Sequence, residues 1–295
     1  MSRTVDLTAV REVINRTGIR TGELSLLSPG GARVGGGSTL VVRDRDRAIR
    51  FSQQSLSEAR ETLHLANQLA AAGAPVLLPA EPDATETLLG TVTIWEMATP
   101  SPEPERDLGF ALGLLHRIEL PGICNRAGNR PHIKREVMRL EHYGVDIEVI
   151  ADLRAIAAQL PEQPGWTGDT NWVVHGDAHR GNVMRHRGRP VLIDLGSVHH
   201  GPAELDLLPT WCAARRARDG WWAWQHLRDA YRNTPGEDGL WDWPHLEEAV
   251  LERELMTTLF LSRRWRDDPW AREEVTHRIL TWEDTTSTWE TGLRR

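Results

Sequence analysis

Three polar side chains at the ends of short apolar runs are the residues of this chain best suited to chemistry. His175-Gly176-Asp177 follows the run 172–174, Asn182 stands five residues after Asp177, and Asp194 closes the run 191–193. Strand ends are where a scaffold holds functional groups rigidly. Phosphoryl transfer asks little more of a protein than a group to orient the nucleophile, oxygen ligands for magnesium, and donors on the phosphates. Asp177 is the candidate to orient an attacking hydroxyl. Asn182 and Asp194 offer hard oxygen ligands of the kind Mg²⁺ takes in small number, with phosphates and waters supplying the rest.

On these residues the chain resembles the aminoglycoside phosphotransferase and choline kinase-like branch of the protein-kinase fold. That family's catalytic loop reads H-G-D-x-x-x-x-N and its metal-binding strand I-D-x-x; here they stand as HGDAHRGN (175–182) and LIDLG (192–196). Gly201 and Asp206-Leu207 match the glycine and D-L pair usual after that strand, and LGLLHRI (112–118) matches a helix placed before the catalytic loop. The resemblance implies an α+β, bilobal protein-kinase-like fold, with a small β-rich N-lobe and a larger, mainly helical C-lobe. It also implies ATP or GTP as phosphoryl donor, Mg²⁺ as cofactor, Asp177 as catalytic residue, and His175 and Asp206 as supports of the loop.

A site of this type needs a cation on its third strand to hold the α- and β-phosphates, braced by a helix glutamate. Of 35 basic residues only Lys134 is lysine, leaving 34 arginines. Lys134 lies far beyond the strands, so Arg50 in AIRF (48–51) is the candidate, with a guanidinium's different grip on phosphate. Glu61, four and eight residues before Leu65 and Leu69, is expected to share their inward face and brace it. Glu58 is the alternative, unless the capping box takes it. The glycine-rich stretch 30–37 and Ser38 could cover the phosphates, or could be a plain hairpin loop. IWEM (94–97) resembles the family's adenine-holding hinge, which makes Trp95 and Met97 candidates; both side chains could equally be core.

The acceptor side is less legible. Residues 201–295 hold 18 Asp+Glu against 13 Arg, either a trap for a cationic acceptor or a solvated helix surface. Twelve of the 13 tryptophans lie at or beyond 166, either an aromatic-walled pocket or helix-bundle core. His199, Glu204 and Asp268 are the named candidates for contact with the acceptor. That acceptor is expected to be an antibiotic (an aminoglycoside, or another sugar- or nucleoside-containing compound) or a small metabolite. The competing reading is a catalytically idle kinase-fold module that binds nucleotide or ligand, favoured by the missing lysine and the irregular glycine loop.

The elements that must position these residues emerge from patterning. TLVV (39–42), a charged turn and AIRF suggest a hairpin, and Ser55-Leu-Ser-Glu58 has the spacing of a capping box that opens a helix running to about Ala72. The three prolines of 98–106 read as a linker, dividing an N-lobe at 1–98 from a C-lobe at 99–295. Helices are expected at Asp107 to Ile118, Ile133 to Tyr143 and Ile147 to Leu160. A net charge of −7 argues against nucleic acid as partner. No apolar run reaches the length of a membrane span, and Cys124 and Cys212 are too few for a disulfide framework. A cytoplasmic setting, with no membrane partner, is the expectation.

Overall fold

The computed structural model describes residues 3–4, 7–17, 19, 21–22, 24–27, 33–34, 39–123, 130–168, 172–217, 220–233 and 242–290. The chain divides into two compact units, 1–107 with 181–196, and 108–180 with 197–295. The boundary expected at 98/99 thus stands at 107/108, and a later segment returns to the first unit.

In the first unit the strands are β1 (Arg3–Thr4), β2 (Leu24–Leu26), β3 (Arg33–Val34), β4 (Leu40–Asp44), β5 (Arg47–Ser52), β6 (Thr85–Thr87), β7 (Gly90–Glu96) and β8 (Thr99–Pro100). Helices α1 (Leu7–Thr17) and α2 (Leu56–Ala71) accompany them. Five strands form an antiparallel sheet in the order β2-β4-β5-β7-β6. The hairpin β4–β5 turns at Arg45-Asp46, with Arg45 at φ 56°. Because side chains alternate along a strand, Leu40, Val42, Ile49, Phe51, Val92 and Ile94 share one face, where Val10 and Ile14 of α1 cover them. The other face carries Val41, Ala48, Arg50, Thr93 and Trp95, with Arg50 paired between Val41 and Thr93.

Helix α2 begins as its sequence dictates. The Ser55 side chain accepts from Glu58 N–H while the Glu58 carboxylate accepts from Ser55 N–H, completing the capping box. The segment 98–106 is not a linker. Thr99 and Pro100 pair with Arg185 and Met184, an edge position that tolerates proline, and Pro104 opens helix α3 (Pro104–Leu115), where its missing N–H costs nothing.

After β9 (Trp172–Val174), which belongs to the second unit, a hairpin of β10 (Val183–His186) and β11 (Arg189–Leu192) pairs through β10 with β8. Its turn, Arg187-Gly188, has φ of 49° and 78°, the doubly positive geometry of tight hairpins.

The second unit holds α4 (Arg130–Arg139), α5 (Ile147–Ala158), α6 (Glu204–Arg216), α7 (Gly220–Asn233), α8 (Leu246–Ser262) and α9 (Pro269–Leu280), with β9 paired to β12 (His199–Gly201). Helix α8 packs against α4, α5, α6 and α9. It buries Leu255, Met256 and Leu259 among Leu140, Ile150, Leu153 and Val275. Arg216 of α6 grips Glu254 of α8 through two bonds of 2.9 Å, donates to the carbonyls of Trp282 and Asp284, and stacks over Trp289. Trp166, Trp211, Trp224, Trp243, Trp265 and Trp289 are buried, whereas Trp221 and Trp222 are exposed. Cys212 is buried, and that burial pushes its thiol up to about 12, which leaves it unreactive; Cys124 lies outside the described residues.

Helices α3 and α7 approach so closely that a Cβ on Gly109 would stand 2.2 Å from the Leu227 carbonyl oxygen. Gly109→Ala is therefore expected to lower stability by about 1–3 kcal/mol, as overpacking does, read as a fall in melting temperature. An unchanged melting temperature would show that the contact yields.

Candidate active site

The apolar strand β9 ends at His175, and the backbone then turns sharply: Gly176 has φ 77°, and a Cβ there would stand 2.3 Å from Ser197 O. Buried Asp206, in the first turn of α6, fixes this loop. Its carboxylate accepts from the N–H of His175 (2.6 Å) and of Gly176 (2.8 Å). The buried His116 ring lies between Asp206 Oδ2, 3.0 Å from Nε2, and the Tyr231 hydroxyl, 2.9 Å from Nδ1. Burial alone would raise the Asp206 carboxyl, but the hydrogen bond and charge of His116, with His175, outweigh it and hold it below its ordinary value.

Asp177 is thereby presented with its side chain about half exposed (44%). Its N–H donates to His175 Nδ1 at 3.3 Å. His179 Nε2 lies 3.8 Å from its Oδ2, and Arg253 Nη1 of α8 lies 3.6 Å from its Oδ1. Sequence reading missed Arg253. Its helix is charged at Glu247, Glu248, Glu252 and Glu254 as well, so no local signal singled it out.

In the first unit, Arg50, Asn182 and Asp194 line one cavity of about 230 Å³. Its remaining walls include Val41, Ala48, Leu77, Trp95, Met184 and Leu192. Asn182 is buried, and its carbonyl accepts from Ile193 N–H at 3.0 Å, so the two strand-borne segments lock together. Asp194 adopts φ 60°, uncommon outside glycine, the kind of local strain found at functional sites. Arg50 Nη2 donates to Asp194 Oδ1 at 3.0 Å. An amide oxygen and a half-exposed carboxylate (49%) on one cavity wall fit a Mg²⁺ ion, which needs few protein ligands.

Several expected residues stand elsewhere. Glu61 is exposed and accepts from Ser57 Oγ, so it does not brace Arg50; the buried stripe of α2 is Ala59, Thr62, Leu63, Ala66 and Leu69. Glu58 is engaged in the capping box. Trp95 lines the cavity with its Nε1 donating to Thr93 Oγ1 at 2.9 Å. Met97 does not line it. The Met97 N–H donates to Asp46 O and its carbonyl accepts from His186 Nδ1. Ser38 and most of the glycine-rich stretch lie outside the described residues.

On the acceptor side, His199 is buried under Gly176, and its Nδ1 donates to Ser197 O. Asp268 caps α9, accepting from the N–H of Trp270 and Ala271, and pairs with Arg264. Both side chains are thus engaged within the fold. Glu204 is half-buried in the first turn of α6.

Solved structures with the same fold include three antibiotic kinase complexes. One is the GDP and kanamycin complex of APH(2")-IIia: TM-score 0.60, 15% identity, 93% of this chain and 98% of that one covered. Another is spectinomycin phosphotransferase with ADP and spectinomycin: TM-score 0.59, 13% identity, 97% of both chains. The third is an amicoumacin kinase with AMP-PNP, Ca²⁺ and Ami: TM-score 0.59, 13% identity, 98% of this chain and 97% of that one. These likenesses establish the α+β, kinase-like fold. No curated protein matches by sequence. The model of the family described as "APH: Phosphotransferase enzyme family" matches residues 32–249, a span that includes Arg50, Asp177, Asn182, Asp194 and Asp206. The chain belongs to that phosphotransferase family.

Proposed function

We propose that the chain transfers the γ-phosphoryl of ATP or GTP, with Mg²⁺, to a hydroxyl of a small molecule such as a sugar- or nucleoside-containing antibiotic. The observation that carries this reading is the convergence of Arg50, Asn182 and Asp194 on one apolar-walled cavity. Apolar walls suit a flat purine, and the three polar groups suit the phosphates of a nucleotide and a hard cation bound to them. The relatives hold GDP in one case and adenine nucleotides in the others, so both donors stay open.

In this reading Asp177 receives a hydrogen bond from the acceptor hydroxyl, turns its oxygen toward phosphorus and takes its proton. The new oxygen–phosphorus bond forms as the bond to the β–γ bridging oxygen breaks, and the nucleoside diphosphate leaves. Arg50 holds the phosphates from β5. Asn182 and Asp194 are the ligands of the cation, whose chemistry is neutralisation of the phosphate charge. Asp206 keeps the loop that presents Asp177 in one conformation.

The test is nucleotide consumption with Mg²⁺ across a panel of aminoglycosides, nucleoside antibiotics, amino sugars and choline-like alcohols. A compound-dependent rise in diphosphate supports the reading; absence of nucleotide binding by calorimetry sinks it. Within the active system, Arg50→Ala removes a charge-assisted grip worth about 1.5–3 kcal/mol. It is expected to raise KM for nucleotide roughly 10- to 100-fold. An unaltered nucleotide KM in that variant would remove Arg50 from the phosphate site.

A further inference from the structure

We infer that His186 is a positioning residue for the nucleotide. As an imidazolium it ties the end of β7 to the end of β10, and so sets the spacing of Trp95 and Met184 in the cavity. The inference rests on the reading of that cavity as the nucleotide site. His186 Nδ1 lies 2.9 Å from Met97 O, and its Nε2 lies 3.0 Å from Glu96 Oε2. A carbonyl and an ionised carboxylate only accept, so both ring nitrogens must donate, and only the imidazolium can do that. A neutral ring has one N–H. It would turn a lone pair toward either the carbonyl or the carboxylate, and one arm of the clamp would open.

Both partners stand next to the cavity. Trp95, which lines it, directly precedes Glu96 and Met97. Met184, also in its wall, lies two residues before His186 on β10. Backbone pairing joins Thr99 and Pro100 of β8 to Arg185 and Met184. The N–H groups of Glu96 and Met97 donate instead to Leu78 O and Asp46 O. The His186 ring therefore carries the joint between β8 and β10 back to the two residues that follow Trp95.

Glu96 faces the ring from β7, and Arg187 in the hairpin turn stands 3.8 Å from the other Glu96 oxygen. Arg47, opposite Glu96 on β5, bonds Asp44 and Glu81. Arg189, opposite His186 on β11, is exposed, and Arg185 of β10 is held by Asp107 of α3. Asp46, in the β4–β5 turn, contributes its carbonyl to Met97. The side chains of His186 and Glu96 are 19% and 30% exposed, open enough to exchange protons with solvent. Histidine changes charge between about pH 5 and 8, and here the charged form completes the clamp. Nucleotide affinity is accordingly highest in mild acid and falls as pH rises.

The test is the Kd of ADP and of GDP, each with Mg²⁺, by calorimetry between about pH 6 and 8.5. Wild type is expected to lose about 5- to 10-fold in affinity over that range. His186→Gln, which carries no charge at any pH, should bind at the low end as weakly as wild type does at the high end. Its curve also supplies the nucleotide's own titration as a reference. Glu96→Gln separates positioning from packing. Its amide can donate to a neutral ring, so this variant keeps the tight binding of acid conditions and loses the pH dependence. A ratio of wild type to His186→Gln that stays constant with pH overturns the inference, as does a Glu96→Gln curve as steep as wild type. In either case nucleotide binding itself stands. Should His186→Gln fail to fold, Glu96→Gln against wild type decides alone. No binding of either nucleotide at any pH sinks the reading of the cavity, and the inference with it.

Discussion

Asp177→Asn lowers kcat by about 10²- to 10⁴-fold, the contribution of a positioned proton acceptor, and leaves the melting temperature close to wild type. The amide has the shape of the carboxylate but cannot take the hydroxyl proton. The small stability effect comes from exposure: the Asp177 side chain is 44% exposed, and its pair with Arg253 spans 3.6 Å. Such partly solvated pairs contribute about 0–1 kcal/mol. Nucleotide KM should stay near wild type, because Arg50, Asn182 and Asp194 are untouched. A variant with wild-type turnover would falsify the assignment of Asp177. A variant with a collapsed melting temperature would show the carboxylate to be structural.

The loop at 175–182 was legible because its information is local. Asp177 and Asp194 follow short apolar runs and Asn182 directly precedes the strand at Val183, and a strand end places the residues beside it with little freedom. Arg50 was legible by elimination, since the one lysine lies outside the sheet. Glu61 failed for a geometric reason. Counting back in steps of four overshoots the 3.6-residue helical period, so a residue eight before Leu69 sits about 80° off its face. The prolines of 98–106 misled because proline marks linkers, edge strands and helix starts alike, and here it serves the last two. Arg253 was out of reach, because nothing local says which side of α8 meets a loop far away in sequence. The same holds for the C-terminal carboxylates: their number is a property of the sequence, but their partners depend on helix packing.

Composition alone leaves the acceptor side open between a trap for a cation and a solvated helix surface. In the folded chain, Glu254 lies within 2.9 Å of the Arg216 guanidinium, and Glu274 within 2.8 Å of Arg278. Arg253 likewise has a carboxylate beside it, Asp177, at 3.6 Å.

Asp206→Asn is the substitution expected to cost the most stability. One carboxylate serves three donors: the N–H groups of His175 and Gly176, and the His116 ring. An amide retains one acceptor oxygen and turns an NH₂ toward the other donors, leaving a buried clash of like polarity. Breaking a buried ionic contact in this way costs about 3–5 kcal/mol. At this chain size that is a fall of roughly 10 °C in melting temperature. Activity falls too, since the loop presenting Asp177 loses its anchor.

The pH dependence has a definite sign. The folded protein holds the Asp206 carboxyl below its ordinary value, with the bonds from His116 and His175 outweighing burial. The unfolded chain takes up a proton there first, near pH 4. The stability contributed by this group is therefore complete above about pH 5 and disappears as pH falls through the folded-state value. Melting curves of wild type and Asp206→Asn should stay far apart at neutral pH and converge in acid. A gap that persists undiminished at acid pH would mean that shape, not charge, holds the loop at 175–177.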